Sequence, residues 1–318
     1  RIDRATICGT DQHVHTGLLQ PVSKTPAILG HEMVGVIEKL GAGRDTDVAG
    51  APLAKGDRVI WAYAYCGKCY YCVVAHQPTL CTNFTPYGYA DCGKPPHLLG
   101  GFAQYAYILP ACHVVKVPDE VPSHWAASAS CALRTIMHAT ARAGGIRPAE
   151  TVLVQGSGPV ICFGAPDGRL DVATAFGADA VCNIEKTDAK QRAELVRSFT
   201  DGRGADLVFE CSGSHHALEE AIGITRMGGR IVVIGAGDPQ PAQIPGMAFV
   251  MKQISVHGIR SAGIEYYREA LAFLAAQKDR FPFERLFGDT YGLGEIPTAM
   301  ERMHRLEEIK PVVDPFKS

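Results

Sequence analysis

The chain has 318 residues, a net charge of −2, and 47% hydrophobic against 20% charged residues. That length predicts two domains, and that balance predicts packed globular structure rather than disorder. There is no basic excess to hold a nucleic-acid backbone or an anionic membrane surface, and no apolar run of about 18 residues to span a bilayer.

The first third places Gly and Pro around short apolar runs, among them 34–37, 58–61 and 105–109. These predict short strands and turns, an irregular β-rich domain. Residues 125–143 are alanine-rich, free of Gly and Pro, and predict a helix. Apolar runs at 151–155, 180–184, 206–211 and 230–235 then alternate with helical patterns at 170–176, 189–199 and 216–227. Two-sided apolar strands between helices predict a parallel sheet, hence an α/β chain. Helices at 265–277 and 295–306 and a strand at 310–313 follow.

Cys66-Gly67-Lys68-Cys69-Tyr70-Tyr71-Cys72 is followed by Cys81. Three cysteines at steps of three and a fourth nine later can wrap one tetrahedral ion, with zinc a commoner occupant than iron. Four thiolates leave no open position, so the site is structural. Cys8-Gly9-Thr10-Asp11-Gln12-His13, Gly30-His31-Glu32 and Cys131 carry further donors. Two thiolates and an imidazole make the set of a catalytic zinc with its fourth position open. Singly, the same residues read as buried small hydrophobes and an ordinary histidine, and spacing leaves both readings open. Gly156-Ser157-Gly158 follows the 151–155 run and opens like a dinucleotide loop, in which glycine lets the backbone approach a pyrophosphate. The fingerprint is incomplete, because Ile161 stands where a third glycine belongs.

Cys8 to Asp11, Gly30-His31-Glu32-Met33-Val34-Gly35, the four-cysteine lobe and Gly56-Asp57-Arg58-Val59 occur in this order. Together they resemble the zinc-dependent medium-chain alcohol dehydrogenase family, and the likeness runs from Cys8 to about Asp314. It implies a GroES-like β-rich catalytic domain (1–132 and 263–318, with a structural zinc lobe at 66–81) and a Rossmann domain (133–262) with a doubly wound parallel sheet. It implies two zinc ions per subunit: a catalytic ion on Cys8, His31 and Cys131, and a structural one on Cys66, Cys69, Cys72 and Cys81. Glu32 matches the acid behind the metal, Asp11 the carboxylate that orients the histidine, and Lys310 the basic partner of the buried acid. Thr10 matches the hydroxyl that takes the substrate proton, and His13 the outer end of that relay. Eight residues precede Cys81 where seven are usual, and Arg44 falls where the family has a small apolar residue.

For the cofactor, the resemblance places Thr135 beside the nicotinamide ring, and Gly235 and Ala236 near it. Gly156 and Gly158 fall at the pyrophosphate and Arg169 near the adenosine ribose. Gly164 stands where NAD-preferring relatives carry Asp; the reading is NAD, with NADP open. Ile161-Cys162-Phe163-Gly164 looks like the family's second strand, so the crossover helix has no residues. About 20 residues are expected to be missing after Val160, and a further stretch before Cys8; a real deletion would instead disable nucleotide binding. The implied reaction is hydride transfer between a secondary alcohol and NAD(P), with Trp61 and Ala62 approaching the substrate. Alternatives are a polyol or amino-alcohol dehydrogenase of the family, or a non-catalytic zinc protein. The expected partner is a small-molecule alcohol or carbonyl compound, not nucleic acid or membrane, and the expected assembly is a homodimer or homotetramer. Cys92, Cys112, Cys162, Cys182 and Cys211 fall outside both sets, and thiols serving metals fit a reducing cytoplasm.

Overall fold

The computed structural model describes residues 1–19, 23–147, 149–155, 161–235, 237 and 239–317. The chain divides into two units, Arg1–Met137 with Ser261–Ser318, and His138–Arg260. Strands β1 (Ile2–Thr6), β2 (Glu32–Val36), β3 (Arg58–Trp61) and β4 (Val114–Lys116) lie in the first unit. Strands β5 (Val152–Gln155), β6 (Ile161–Gly164), β7 (Ala180–Asn183), β8 (Ala205–Glu210), β9 (Thr225–Val233) and β10 (Ser255–Gly258) lie in the second. Strands β11 (Phe287–Tyr291) and β12 (Lys310–Val313) return to the first. The helices are α1 (Gly9–His15), α2 (Tyr70–Val73), α3 (Ser123–Ser128), α4 (Arg134–Arg142), α5 (Asp167–Ala175), α6 (Ala189–Ser198), α7 (His215–Ile224), α8 (Gly246–Lys252), α9 (Ile264–Gln277) and α10 (Ile296–His304).

The first unit is built on a six-stranded sheet of order β11-β12-β1-β2-β3-β4. All its pairs are antiparallel except β11 with β12. Ile2, Ala5, Ile7, Met33, Val59 and Tyr87 are buried in its core, where each large side chain contributes about 2 kcal/mol by leaving water. Thr6 pairs with Glu32 on one side and Val312 on the other. This register sets the ends of β1 and β2 against each other, and the candidate site grows from those ends.

The second unit holds a six-stranded, wholly parallel sheet of order β7-β6-β5-β8-β9-β10. Its central strands are buried on both faces, as Leu153, Val154, Leu207 and Val208 show, which is why their sequences run apolar without alternation. The chain steps outward from β5 to β7, then returns to β8 on the other side of β5. A doubly wound sheet binds nucleotides at such a reversal.

Several expectations need correction. The helix expected over 125–143 is interrupted by a π-helical turn, Ala129–Leu133, between α3 and α4. The helix expected over 216–227 stops at Ile224, because Thr225, whose hydroxyl caps back to the Ala221 carbonyl at 2.6 Å, already begins β9. Residues 105–109 form a loop, not a strand. The sheet edge β10, short and largely exposed, carries too weak an apolar pattern to be read from sequence. β5 and β6 are parallel neighbours with Leu153 opposite Ile161. Only five residues join them in the sequence, fewer than the dozen or so of a crossover.

Candidate metal centre

The lobe at residues 66–81 forms locally. Cys69 caps the single turn of α2, and the turn after it ends at Cys81. The Cys69 sulfur lies 3.6 Å from that of Cys72 and 3.9 Å from that of Cys81. All four sulfurs fall within 4.8 Å of one another. A tetrahedral zinc with bonds of about 2.3 Å sets its sulfurs about 3.8 Å apart, so the thiols fit the ion; a disulfide would need about 2.05 Å. Burial works against the Cys69 thiolate, but the Cys72 and Thr82 amides and the Cys72 thiol bring its pKa down to about 6. Burial and the bond to Cys69 push Cys72 up to about 12.

The second cluster is assembled from distant segments. Leaving β1, the chain turns at Cys8, which stands in extended conformation as the cap of α1. Entering β2, it passes Gly30 and His31. Asp11, 1% exposed, ties the two together. One carboxylate oxygen accepts the Cys8 amide at 2.9 Å; the other accepts the Gly30 amide at 3.0 Å and lies 3.2 Å from His31 Nδ1. Gly30 has φ +86°, and a Cβ there would lie 2.5 Å from the Phe102 ring. A Cβ on Gly88 would lie 2.9 Å from the Cβ of His31. Gly30 therefore makes room for the Phe102 ring beside the site, and Gly88 for the histidine itself. Cys131 arrives on the π-helical turn, a feature frequent at functional sites.

Donor atoms of Cys8, His31, Glu32 and Cys131 lie within 4.8 Å of one another. His31 Nδ1 faces Asp11, while Nε2 is buried without a hydrogen-bond partner. A buried ring nitrogen left bare costs free energy unless something binds it. Bare nitrogen, two thiols and a carboxylate are a donor set that fits zinc, with Asp11 in the orienting role that ligand histidines require. Glu32 is fully buried; it accepts Thr6 Oγ1 at 2.5 Å and Lys310 Nζ at 2.8 and 2.9 Å. Burial raises its carboxyl to about 7, with Lys310 opposing. The hydrogen bond to Cys131, then burial, push Cys8 up to about 11, while the same bond lowers Cys131 well below a free thiol. Burial works against a charge on His31, yet Asp11 and Cys131 carry its pKa well above the ordinary value.

Thr10 Oγ1 lies 3.8 Å from the Cys8 sulfur. His13, half-buried, stands three residues on along α1, so the two share a helix face. Thr135 lies in the first unit and donates its hydroxyl to the Cys131 carbonyl at 2.7 Å. In the second unit, Gly164 ends β6 and Arg169 stands in the first turn of α5, where burial works against its charge. Gly235 follows β9, and a Cβ there would lie 2.0 Å from the Gly213 nitrogen. Gly156, Gly158 and Ala236 lie outside the described residues. Sheet order, Gly164 and Arg169 fit the adenosine end of a dinucleotide. At the pyrophosphate end the link between β5 and β6 is five residues long, and those residues lie outside the described ones.

Three residues escaped the sequence reading. Glu210 ends β8 and folds the next loop by accepting the Ser212 amide at 2.7 Å, its hydroxyl at 2.6 Å and the Gly213 amide at 2.9 Å; an acid closing an apolar run was the available signal. Arg134 is 1% exposed. Tyr63 is buried close enough to His31 and Cys131 to feel their charges. Trp61, expected near the substrate, packs edge-on to Tyr87 at 5.7 Å and lines a cavity of about 820 Å³ with Ile2, Leu53 and Tyr107. None of Cys8, His31, Glu32 or Cys131 lines that cavity; the donor geometry, not the cavity, marks the site.

A family model described as "Alcohol dehydrogenase GroES-like domain" matches residues 1–119, and one described as "Zinc-binding dehydrogenase" matches residues 152–276. The 5-exo-hydroxycamphor dehydrogenase of Pseudomonas putida is 32% identical over 334 residues, covering 99% of this chain and 90% of the relative. D-xylulose reductase A of Aspergillus oryzae is 32% identical over 292 residues, 86% of this chain and 77% of its own. The solved alcohol dehydrogenase of Thermotoga maritima superposes with a TM-score of 0.90 at 29% identity, covering 98% of this chain and 90% of that one. The Pseudomonas alignment, at 334 residues, is longer than this chain of 318, so that relative carries residues that this chain lacks.

Proposed function

The chain belongs to the zinc-dependent medium-chain alcohol dehydrogenase family, and from that premise we propose that it oxidises a secondary alcohol with NAD at a zinc ion held by Cys8, His31 and Cys131. The observation that carries the assignment of this centre is the bare, buried His31 Nε2 among two thiols and a carboxylate. When bound, zinc supplies Lewis acidity to the alcohol oxygen and nicotinamide supplies a hydride acceptor. The chain's own residues do the rest. Asp11 fixes the tautomer and direction of His31. Lys310 and Thr6 hold the Glu32 carboxylate behind the ligands, where it can exchange with them. Thr10 takes the proton from the substrate oxygen, and His13, one helical turn on, passes it outward. Cys66, Cys69, Cys72 and Cys81 hold a second, structural zinc, making two per chain.

Gly164 at the end of β6 supports NAD only in part, because it offers no carboxylate to reject a 2′-phosphate. The relatives named for hydroxycamphor and xylulose support a bulky alcohol, with a polyol as the second reading. Cysteines committed to metals support a reducing cytoplasm, and the family resemblance supports a homodimer or homotetramer.

The test is metal content together with a panel of alcohols and both dinucleotides, on the wild-type chain and His31→Ala. Two zinc ions per chain, NAD-linked oxidation of secondary alcohols and its loss in the variant are expected. Oxidation that persists in the zinc-free chain would sink the reading.

A further inference from the structure

The π-helical turn that carries Cys131 has an unusual pattern of backbone bonds. The Arg134 amide donates to the carbonyls of Ala129 and Cys131, five and three residues back, and passes over that of Ser130, four residues back. An ordinary α-helix would have used the Ser130 carbonyl. The Arg134 side chain takes the vacated role, its Nε donating to Ser130 O. The rest of the guanidinium is fixed in turn. Nη1 donates to Ser261 Oγ at 2.8 Å, and the group lies over the Tyr267 ring, 4.6 Å from its centre, with the Tyr63 ring 6.0 Å away. These contacts are a carbonyl, a hydroxyl and aromatic faces; among the described residues no carboxylate is one of them. Burial works against the guanidinium charge, and the Tyr267 and Cys131 side chains beside it offset that cost.

Ser130 also reaches the other half of the site. Its hydroxyl donates to the Ala127 carbonyl at 2.7 Å and accepts the Met33 amide at 3.3 Å. Met33 lies on β2, two residues beyond His31. The turn bearing Cys131 and the strand that His31 leads into are thus pinned at one residue, Ser130, which Arg134 holds by its carbonyl.

We propose that Arg134 is a positioning residue of the metal centre: by standing in for the missing helical donor to Ser130, it holds the π-helical turn in the shape that points the Cys131 thiol at Cys8 and His31. The inference rests on the reading of that centre given under Proposed function. The role cannot pass to Leu or Met, which have no donor, and Lys can fill it only in part, because its single ammonium lacks the planar fork.

The experiment uses the full chain loaded with zinc, and follows zinc release to a chelator alongside the absorption spectrum of the cobalt-loaded chain. In Arg134→Met one zinc is expected to leave at least tenfold faster than in the wild type, with the four-cysteine zinc unaffected. The thiolate-to-cobalt charge-transfer band is expected to weaken. Arg134→Lys is expected to recover part of both. General loss of stability would release both ions together and would not be rescued. Should Arg134→Met fail to fold, Ser261→Ala removes only the Nη1 anchor and is expected to speed release of the same zinc several-fold; unchanged release there overturns the proposal. Wild-type rates and spectrum in Arg134→Met overturn it as well. A wild-type chain that binds zinc only at the four-cysteine lobe overturns the reading of the first centre, and the proposal with it. Two zinc ions in the wild type, equally held in the variant, overturn the proposal alone.

Discussion

The two sulfur clusters differ in how they are made. The lobe draws its thiols from residues 66 to 81, and Cys66, Cys69 and Cys72 are only half-buried. The other cluster draws on residues 8, 31 and 131, sits beside the buried Asp11 and Glu32, and depends on two β-strands, two tight glycines and a π-helical turn. A local cluster needs only turns of the right length. A dispersed one needs the whole unit to fold, and in exchange gains a dry surrounding in which orientation and charge can be set.

The comparison breaks first, and hardest, under ligand removal. Cys8→Ala or His31→Ala is expected to lower kcat at least a thousandfold while circular dichroism stays that of the wild type; residual turnover within tenfold would show that the dispersed cluster is not the reacting centre. Asp11→Asn keeps every ligand and loses the carboxylate shared by Cys8, Gly30 and His31. It is expected to cost ten- to a hundredfold in zinc affinity at that centre, read by chelator competition, and nothing at the lobe.

Thiol chemistry sharpens the contrast. In the metal-free chain at neutral pH, Cys69, with a pKa of about 6, is mostly thiolate, whereas Cys8, raised to about 11, is mostly thiol. Iodoacetamide is therefore expected to label Cys69 at least tenfold faster, as peptide mapping would reveal. Raising the pH toward 11 should close the gap, because Cys8 then ionises while Cys69 has no more proton to lose. Equal rates at neutral pH would mean that burial and the Cys131 bond do not hold the Cys8 proton. The smallest effect on turnover belongs to Cys69→Ser. It is expected to lower Tm by about 10 °C and to change kcat less than twofold at temperatures where the variant stays folded.

What could be read in advance follows the same division. The lobe was legible from spacing alone, since Cys66, Cys69, Cys72 and Cys81 carry their geometry in their sequence separation. Cys8, His31 and Cys131 were not; only the resemblance of the surrounding motifs joined them, because strand register is a long-range property. The parallel sheet was legible in its two-sided apolar strands, but the exposed edge β10 was not. Arg134 carries no signal of its own within the helical stretch 125–143, because nothing local announces that a helix will take a π turn and bury the next arginine. Glu210 and Tyr63 escaped notice for a related reason, as their partners lie in loops whose path no periodicity describes. The five-residue link between β5 and β6 was plain from counting residues. Inserting a helix-length segment between Val160 and Ile161 is expected to tighten NADH binding at least tenfold, which fluorescence titration would measure.

The pairing of Thr6 with Glu32 also bears on how such a protein can change over generations. His31 enters β2 at the same end at which β1 leads out to Cys8, while the connection from β2 to β3, residues 37–57, leaves from the opposite end. Lengthening that connection at its exposed residues, 41–46, does not alter the Thr6–Glu32 register that sets Cys8 near His31. One end of a short ladder is thus free to drift and acquire new surfaces while the other keeps its chemistry, so a lineage can explore insertions there without having to reinvent its metal centre.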